Sequence, residues 1–279
     1  MTFDNEMGAR LWRLAIWVFI GFFIINLAGI IAAVVVDSFG TSWFNSWLPG
    51  GFTTSWYRQA WSAFQLGGVL LVTFEVAGAV LLGSALLGVP AAYALARRDF
   101  PGKRFVMLIF VLPLIIPPFT YGIPLASVLY QFGLGGTLTG VILANLMPSV
   151  PFVIFILVPF IEQIDPRVEA AARVFGAGTG ALLRTVMVPL LVPGILAALL
   201  LVLVRTIGMF ELTFLTAGPG SQTLVVELYY SVFAAGMRAS QSIDAMAVIY
   251  MATSLICLVI ALRFVDPTQI VGRAKRTAH

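Results

Sequence analysis

Few side chains in this 279-residue sequence could make or break a covalent bond. Its single histidine is His279, and its single cysteine is Cys257, which lies in an apolar run. Histidine-based catalysis, the His-Glu-x-x-His zinc motif and any disulfide within the chain are therefore excluded. No serine stands in a Gly-x-Ser-x-Gly elbow. The Gly102-Lys103 pair is followed by Arg104 and lacks a glycine five positions earlier, so the loop that cradles nucleotide phosphates is missing. These gaps point away from an enzyme and from ATP binding by that route. What the chain does carry is charge in unusual places. The stretch IDPRVEAAARVFGAG at residues 164–178 is charged between two apolar runs, and Glu75 and Arg205 each lie within one.

The short stretch has the signals of a helix with defined ends. Asp165 followed by Pro166 supplies an N-cap and a proline at the first helical position, and Gly176 supplies the stop. Val168, Ala171, Ala172 and Phe175 fall at i, i+3, i+4 and i+7 and make one apolar face. Glu169 precedes Arg173 by four residues, the favourable order for an ion pair on a helix, contributing ~0.3–0.5 kcal/mol. A helix this short is marginal alone in water, so its apolar face needs another surface.

The elements that must position these residues follow from composition. Hydrophobic residues make up 60% of the chain, charged residues 10%, and the mean hydropathy is +1.02. A soluble domain of this length does not look like that, whereas repeated runs of about 20 apolar residues fit membrane-crossing helices. The fold class is all-α, a polytopic membrane protein with six spans near Leu14–Val36, Leu66–Ala96, Phe105–Tyr130, Leu138–Ile161, Val188–Phe210 and Ile243–Phe264. The first apolar run starts near Leu11, is interrupted by Arg13 and has no small-residue cleavage site before Asp37, so it is expected to be retained. No internal repeat or low-complexity linker divides residues 1–279, which read as a single transmembrane domain.

Lys and Arg fix the orientation, since they favour cytoplasmic loops. With the N-terminus inside, the inner segments hold Arg10, Arg13, Arg97, Arg98, Lys103, Arg104, Arg167, Arg173, Arg184, Arg263, Arg273, Lys275 and Arg276, against Arg58 and Arg238 outside. Both termini are then cytoplasmic, and the net charge of +4 reflects topology without any nucleic-acid partner. Residues 164–178 lie in a cytoplasmic loop at about 162–188, and an outer loop at about 37–65 carries Trp43, Trp47, Trp56 and Trp61. Those tryptophans suit an interfacial belt or a docking surface for a partner. The prolines of spans three and four, Pro113, Pro117, Pro118, Pro124, Pro148, Pro151 and Pro159, should lie where neighbours satisfy the freed carbonyls, inside the bundle. Gly78, Gly83 and Gly88 should permit close helix approach.

Within the spans, Glu75 and Arg205 stand out as ionisable, and each costs ~2.5–3.5 kcal/mol on insertion scales. They are either solute-pathway groups or a structural pair between helices. Arg205 and Glu211 are six apart and would face different directions on one helix.

The run EAAARVFGAGTGALLRTVMVPLLVPG at residues 169–194 resembles the EAA loop of permease subunits of binding-protein-dependent ABC importers. Ala171, Ala172, Gly176, Val186 and Pro189 match that pattern, while Ala170 stands at the usual glutamate position, with Glu169 one residue earlier, and Val188 replaces a leucine. The resemblance is strong over this loop and extends to the general layout from about Leu66 onward. It implies a type I importer fold in the bacterial inner (cytoplasmic) membrane, with Asp165, Val168, Glu169, Ala171, Ala172, Phe175, Gly176 and Pro189 forming a coupling element for a separate ATPase dimer. No cofactor is expected in this chain, ATP and Mg being bound by that partner. The resemblance further implies a second permease subunit, a heterodimer being favoured over a homodimer, and a periplasmic or surface solute-binding protein.

The segment RTIGMFELTFLTAGPGSQTL at residues 205–224 lies where such permeases line the pathway or meet the binding protein, which adds Phe210 and Glu211 to Glu75 and Arg205 as pathway candidates. FLTAGPGSQTL is similar to sugar permeases, whereas LPLIIPPFTYGIPL and the Val-Phe-Gly of the loop look closer to polyamine and iron permeases. A sugar-like or other small polar solute is the expected cargo. A secondary carrier, the competing class, would need its own coupling-ion site, for which one glutamate and one arginine offer little.

Overall fold

The computed structural model describes residues 3–43, 46–233 and 239–264; Arg238, Arg273, Lys275, Arg276 and His279 lie outside them. The described residues are helical apart from connections and one isolated bridge, Gly40 to Phe52. In chain order the α-helices are α1 (Phe3–Phe39), α2 (Ser55–Ala63), α3 (Leu66–Arg97), α4 (Lys103–Ile115), α5 (Pro118–Gln131), α6 (Leu138–Glu162) and α7 (Pro166–Val174). After them come the single turn α8 (Thr179–Ala181), a π-helical turn at Leu182–Met187, α9 (Val188–Ile207), α10 (Glu211–Thr216), α11 (Leu224–Phe233) and α12 (Ser240–Phe264). Among the described residues five helical stretches are long and apolar enough to cross a membrane, and the pair α4 and α5 makes a sixth if taken together.

That pair corrects the third expected span. Instead of one helix from Phe105 to Tyr130, α4 and α5 meet at a bend of 102°. Pro117 and Pro118 are the cause. Each forces the residue before it out of the helical region, so Ile116 and Pro117 are extended with ψ of 134° and 136°, and α5 restarts with Pro118 at its first position. The prolines of α6 are absorbed without a break, and more than half of that helix's apolar stretch is buried, as expected for a central element. Helix α4 has no buried residue, so the expectation of an interior position fails there.

The chain forms two compact units. One comprises residues 1–63 and 231–249. Within it α1 leaves its apolar side chains exposed, as a lipid-facing helix does, and the outer loop folds back on its end. Trp56 donates to the Gly40 carbonyl at 2.7 Å, and Tyr57 shares a 2.8 Å hydrogen bond with Ser38. Trp47 and Trp61 remain exposed.

The other unit, residues 64–230 and 250–279, holds the core. Val76, Val80, Ala92 and Leu95 of α3, Val153, Ile154, Leu157 and Ile161 of α6, and Leu191, Ala198 and Val202 of α9 pack together. Gly88 and Gly83 let α3 approach α6, as their small size predicts. A Cβ at Gly88 would stand 2.8 Å from Val153 Cγ1 and 3.4 Å from the Val150 carbonyl oxygen, and one at Gly83 would stand 2.8 Å from the tip of Leu146. Gly78 has nothing within 4 Å and lines an apolar crevice of about 430 Å³ with Phe74, Leu81, Leu203 and Cys257, so the packing role expected for it is not found. Since Leu146 can turn its end away and the Val150 backbone cannot, Gly88→Leu should cost more than Gly83→Leu. Overpacking typically costs ~1–3 kcal/mol, and Gly88→Leu is expected at or beyond the upper end. Thermal unfolding of the two variants in detergent checks the order.

Candidate functional site

Helix α7 forms where the sequence places it. The Asp165 carboxylate accepts from the Arg167 amide at 2.9 Å, Pro166 occupies the first turn, and Gly176 follows the end at φ +83°, a left-handed value that favours glycine. The Gly176 amide donates to the Arg173 carbonyl at 3.0 Å and the Ala177 amide to the Ala172 carbonyl at 3.0 Å, closing the terminus. The helix stops at Val174, so Phe175 sits on the cap, not inside the last turn.

Two sides of α7 differ sharply. Val168 and Ala171 are exposed, Val174 is 85% exposed and Phe175 90% exposed. Glu169 is 6% exposed. Its Oε2 accepts from the Tyr93 hydroxyl at 2.6 Å and its Oε1 from Arg97 Nε at 2.6 Å, both donors on the last turns of α3. Glu169 therefore faces its own chain, and Ala172 beside it is half-buried, so in the isolated chain neither belongs to the outward face. Sequence periodicity finds an apolar side, but a glutamate one turn from solvent-facing residues gives no sign that α3 supplies it with two donors.

Pro189 stands in the first turn of α9, just after the π-helical turn. Lacking an N–H, it cannot bond the carbonyl one turn back, and the Val188 amide reaches the Leu183 carbonyl five residues earlier. The spacing from Gly176 to Pro189 is thus filled by a widened turn that carries the chain from the loop into the span.

The charges within the spans are not paired as a helix-to-helix bridge. Arg205 Cζ lies 5.5 Å from the centre of the Phe152 ring, and Glu75 is exposed on α3. Among the described residues the Tyr121 hydroxyl is buried without a hydrogen-bond partner, within electrostatic range of both Arg205 and Glu211. A continuous helix would keep these two charges on different faces, but α9 ends at Ile207 and α10 begins at Glu211, and the intervening break brings both towards Tyr121. Phe210 belongs to an aromatic group beside them, 5.1 Å from Phe214 and 4.7 Å from Tyr229, with Tyr230 5.8 Å from Phe214. Sequence reasoning also missed Asp244, which lies inside α12 with its carboxyl close to that of Asp37. Asp244 falls inside the expected span Ile243–Phe264, one residue from its start, and α12 begins earlier still, at Ser240.

The glycines of the loop after α10 have a structural reason. The Gly136 amide donates to the Thr216 carbonyl at 2.9 Å, and a Cβ on Gly218 would stand 2.8 Å from the Gly136 Cα and carbonyl oxygen. Ser221 Oγ donates to the Gly136 carbonyl at 3.1 Å and accepts from the Gly218 amide at 2.8 Å.

Residues 84–271 match the family of inner membrane components of binding-protein-dependent transport systems. A probable molybdenum ABC transporter permease of Haloferax volcanii is 33% identical over 189 residues, 65% of this chain and 70% of that protein. The diacetylchitobiose uptake system permease NgcG of Streptomyces coelicolor is 34% identical over 150 residues, 54% of this chain and 50% of its own length. The fold is that of a subunit in the crystal structure of a bacterial ABC transporter involved in alginate import, with a TM-score of 0.76 at 18% identity over 93% of this chain and 98% of that one.

Proposed function

The chain belongs to the inner membrane components of binding-protein-dependent transport systems, and from that premise we propose that it forms half of a translocation pathway driven by a separate ATPase dimer docked on α7. The observation that carries the reading is the exposure of Phe175 and Val174 at the end of a helix whose other side is anchored. Large apolar groups at a capped, fixed position outside the spans fit a protein cleft better than water. In this reading ATP and Mg belong to the ATPase, a second and different permease subunit completes the pathway, and a binding protein delivers solute from outside. The chain is then a multi-pass permease with no catalytic site of its own. Copurification of an ATPase with the tagged chain tests the assembly.

Both termini are cytoplasmic in this proposal, on the thirteen-to-two distribution of basic residues in the sequence. Ser46 in the outer loop is exposed. A Ser46→Cys variant in a Cys257→Ser background should react with an impermeant thiol reagent on intact cells. Labelling only after the membrane is opened would reverse the orientation.

For the cargo, a sugar-like solute is the first reading. The aromatic group at Phe210, Phe214, Tyr229 and Tyr230 offers ring faces of the kind that pack against sugar rings, with Tyr230 exposed. Arg205 favours a second reading, a small oxyanion, because a guanidinium is suited to bind anionic oxygens. Stimulation of ATP hydrolysis by candidate solutes, measured on the assembled complex with its binding protein, separates the two.

A further inference from the structure

Glu169 spends both carboxylate oxygens inside the chain, and its partner Arg97 does more than neutralise it. Arg97 Nη2 donates to the Ile164 carbonyl at 2.8 Å, while its Nε holds Glu169 Oε1. One guanidinium at the end of α3 therefore grips the linker after α6 and the middle of α7 together. Tyr93, one turn earlier on α3, holds the second oxygen of Glu169. The Arg97 and Glu169 side chains are 13% and 8% exposed, so this ion pair is shielded, and breaking it by removing one member would leave the other charge buried alone.

The surroundings give the arrangement a mechanical meaning. On one side are α3 and α6, in close contact at Gly88 and Val153. On the other is α7, nine residues long, too short to be stable alone and followed by the left-handed Gly176. Without Glu169, α7 would be held mainly by its flanking chain.

We infer that Tyr93, Arg97 and Glu169 form a positioning joint that makes α7 move as one body with α3, so that a displacement imposed at Phe175 is delivered to the membrane-spanning bundle. This rests on α7 being the ATPase-docking helix. It assigns Glu169 to force transmission and not to ATPase contact, so loss of the joint should leave docking intact and spoil the yield of transport per ATP. Rigid elements with defined interfaces can carry such coupling, whereas a loose tether dissipates it.

The test uses the full complex reconstituted with its binding protein. Glu169→Ala and Arg97→Ala should each retain the ATPase on purification and hydrolyse ATP, yet transport roughly five- to tenfold less solute per ATP, a loss on the order of the coupling between linked sites. Glu169→Gln, which keeps the side-chain volume and an acceptor for Tyr93, should fall between, and it answers the question if the alanine variants do not reach the membrane. Arg97→Glu combined with Glu169→Arg should recover part of the lost ratio. Unchanged transport per ATP in Arg97→Ala overturns the joint, and so does loss of the ATPase from Glu169→Ala or Glu169→Gln, which would make Glu169 a docking group. Failure of the underlying reading looks different, because Phe175→Asp would then keep both the ATPase and full transport whatever the Glu169 variants do.

Discussion

Phe175→Asp should insert into the membrane in normal amount and purify without its ATPase. The ring is 90% exposed in the isolated chain, so its removal takes nothing from the permease fold. In the proposed complex the same ring is the largest apolar group α7 presents. Deleting it forfeits roughly 1.5–3 kcal/mol of burial, equivalent to about ten- to a hundredfold in affinity, before the added cost of an unpaired carboxylate at the contact. Val174→Asp, at 85% exposure beside it, should weaken the complex in the same direction. The measurements are ATPase retention on purification and transport with ATP hydrolysis on one preparation. A Phe175→Asp protein that holds its ATPase and transports at the unmutated rate would remove α7 as the coupling helix.

The parts of this fold that can be read in the sequence are those in which one residue type forces a local outcome. Apolar length locates the spans at Leu66–Arg97, Leu138–Glu162 and Ser240–Phe264 to within a few residues, and Asp165, Pro166 and Gly176 bound α7. The paired prolines at 117 and 118 are equally visible. Their effect escapes a hydropathy reading because hydropathy is blind to direction, and a stretch apolar enough for one span can turn through 102° when two donors are missing. Glu169 and Arg173 satisfy the i to i+4 rule, yet the glutamate is taken by Arg97, 72 residues away. A buried tertiary ion pair overrides a solvent-exposed helical one, and nothing local announces it. Arg205 and Glu211 show the converse, since their spacing argues against a shared environment only while the helix is assumed to continue past Ile207.

That helix break gives the second large effect its basis. Arg205→Met should leave the complex assembled and reduce transport and solute-stimulated ATP hydrolysis by roughly tenfold or more, the equivalent of ~1.4 kcal/mol of binding or barrier. Methionine keeps much of the stem's volume. It gives up the cation–π interaction with Phe152, worth ~0.5–2 kcal/mol, which is too little by itself to unfold a bundle whose core lies on α3, α6 and α9. The larger consequence is the removal of a positive charge near the buried, unpartnered Tyr121 hydroxyl and near Glu211. An oxyanion cargo would lose its counter-charge, so transport should fall while Arg205→Lys retains part of it as a point charge without the planar fork. A neutral sugar would lose directed hydrogen bonds, and there the lysine variant should resemble methionine more closely. Glu75 serves as the control, because it is exposed on α3 and makes no bridge to Arg205, so Glu75→Gln should not reproduce the Arg205 defect. If Arg205→Met instead lowers the yield of complex while each surviving complex works at the unmutated rate, Arg205 is a structural residue and the pathway must be sought elsewhere in the bundle.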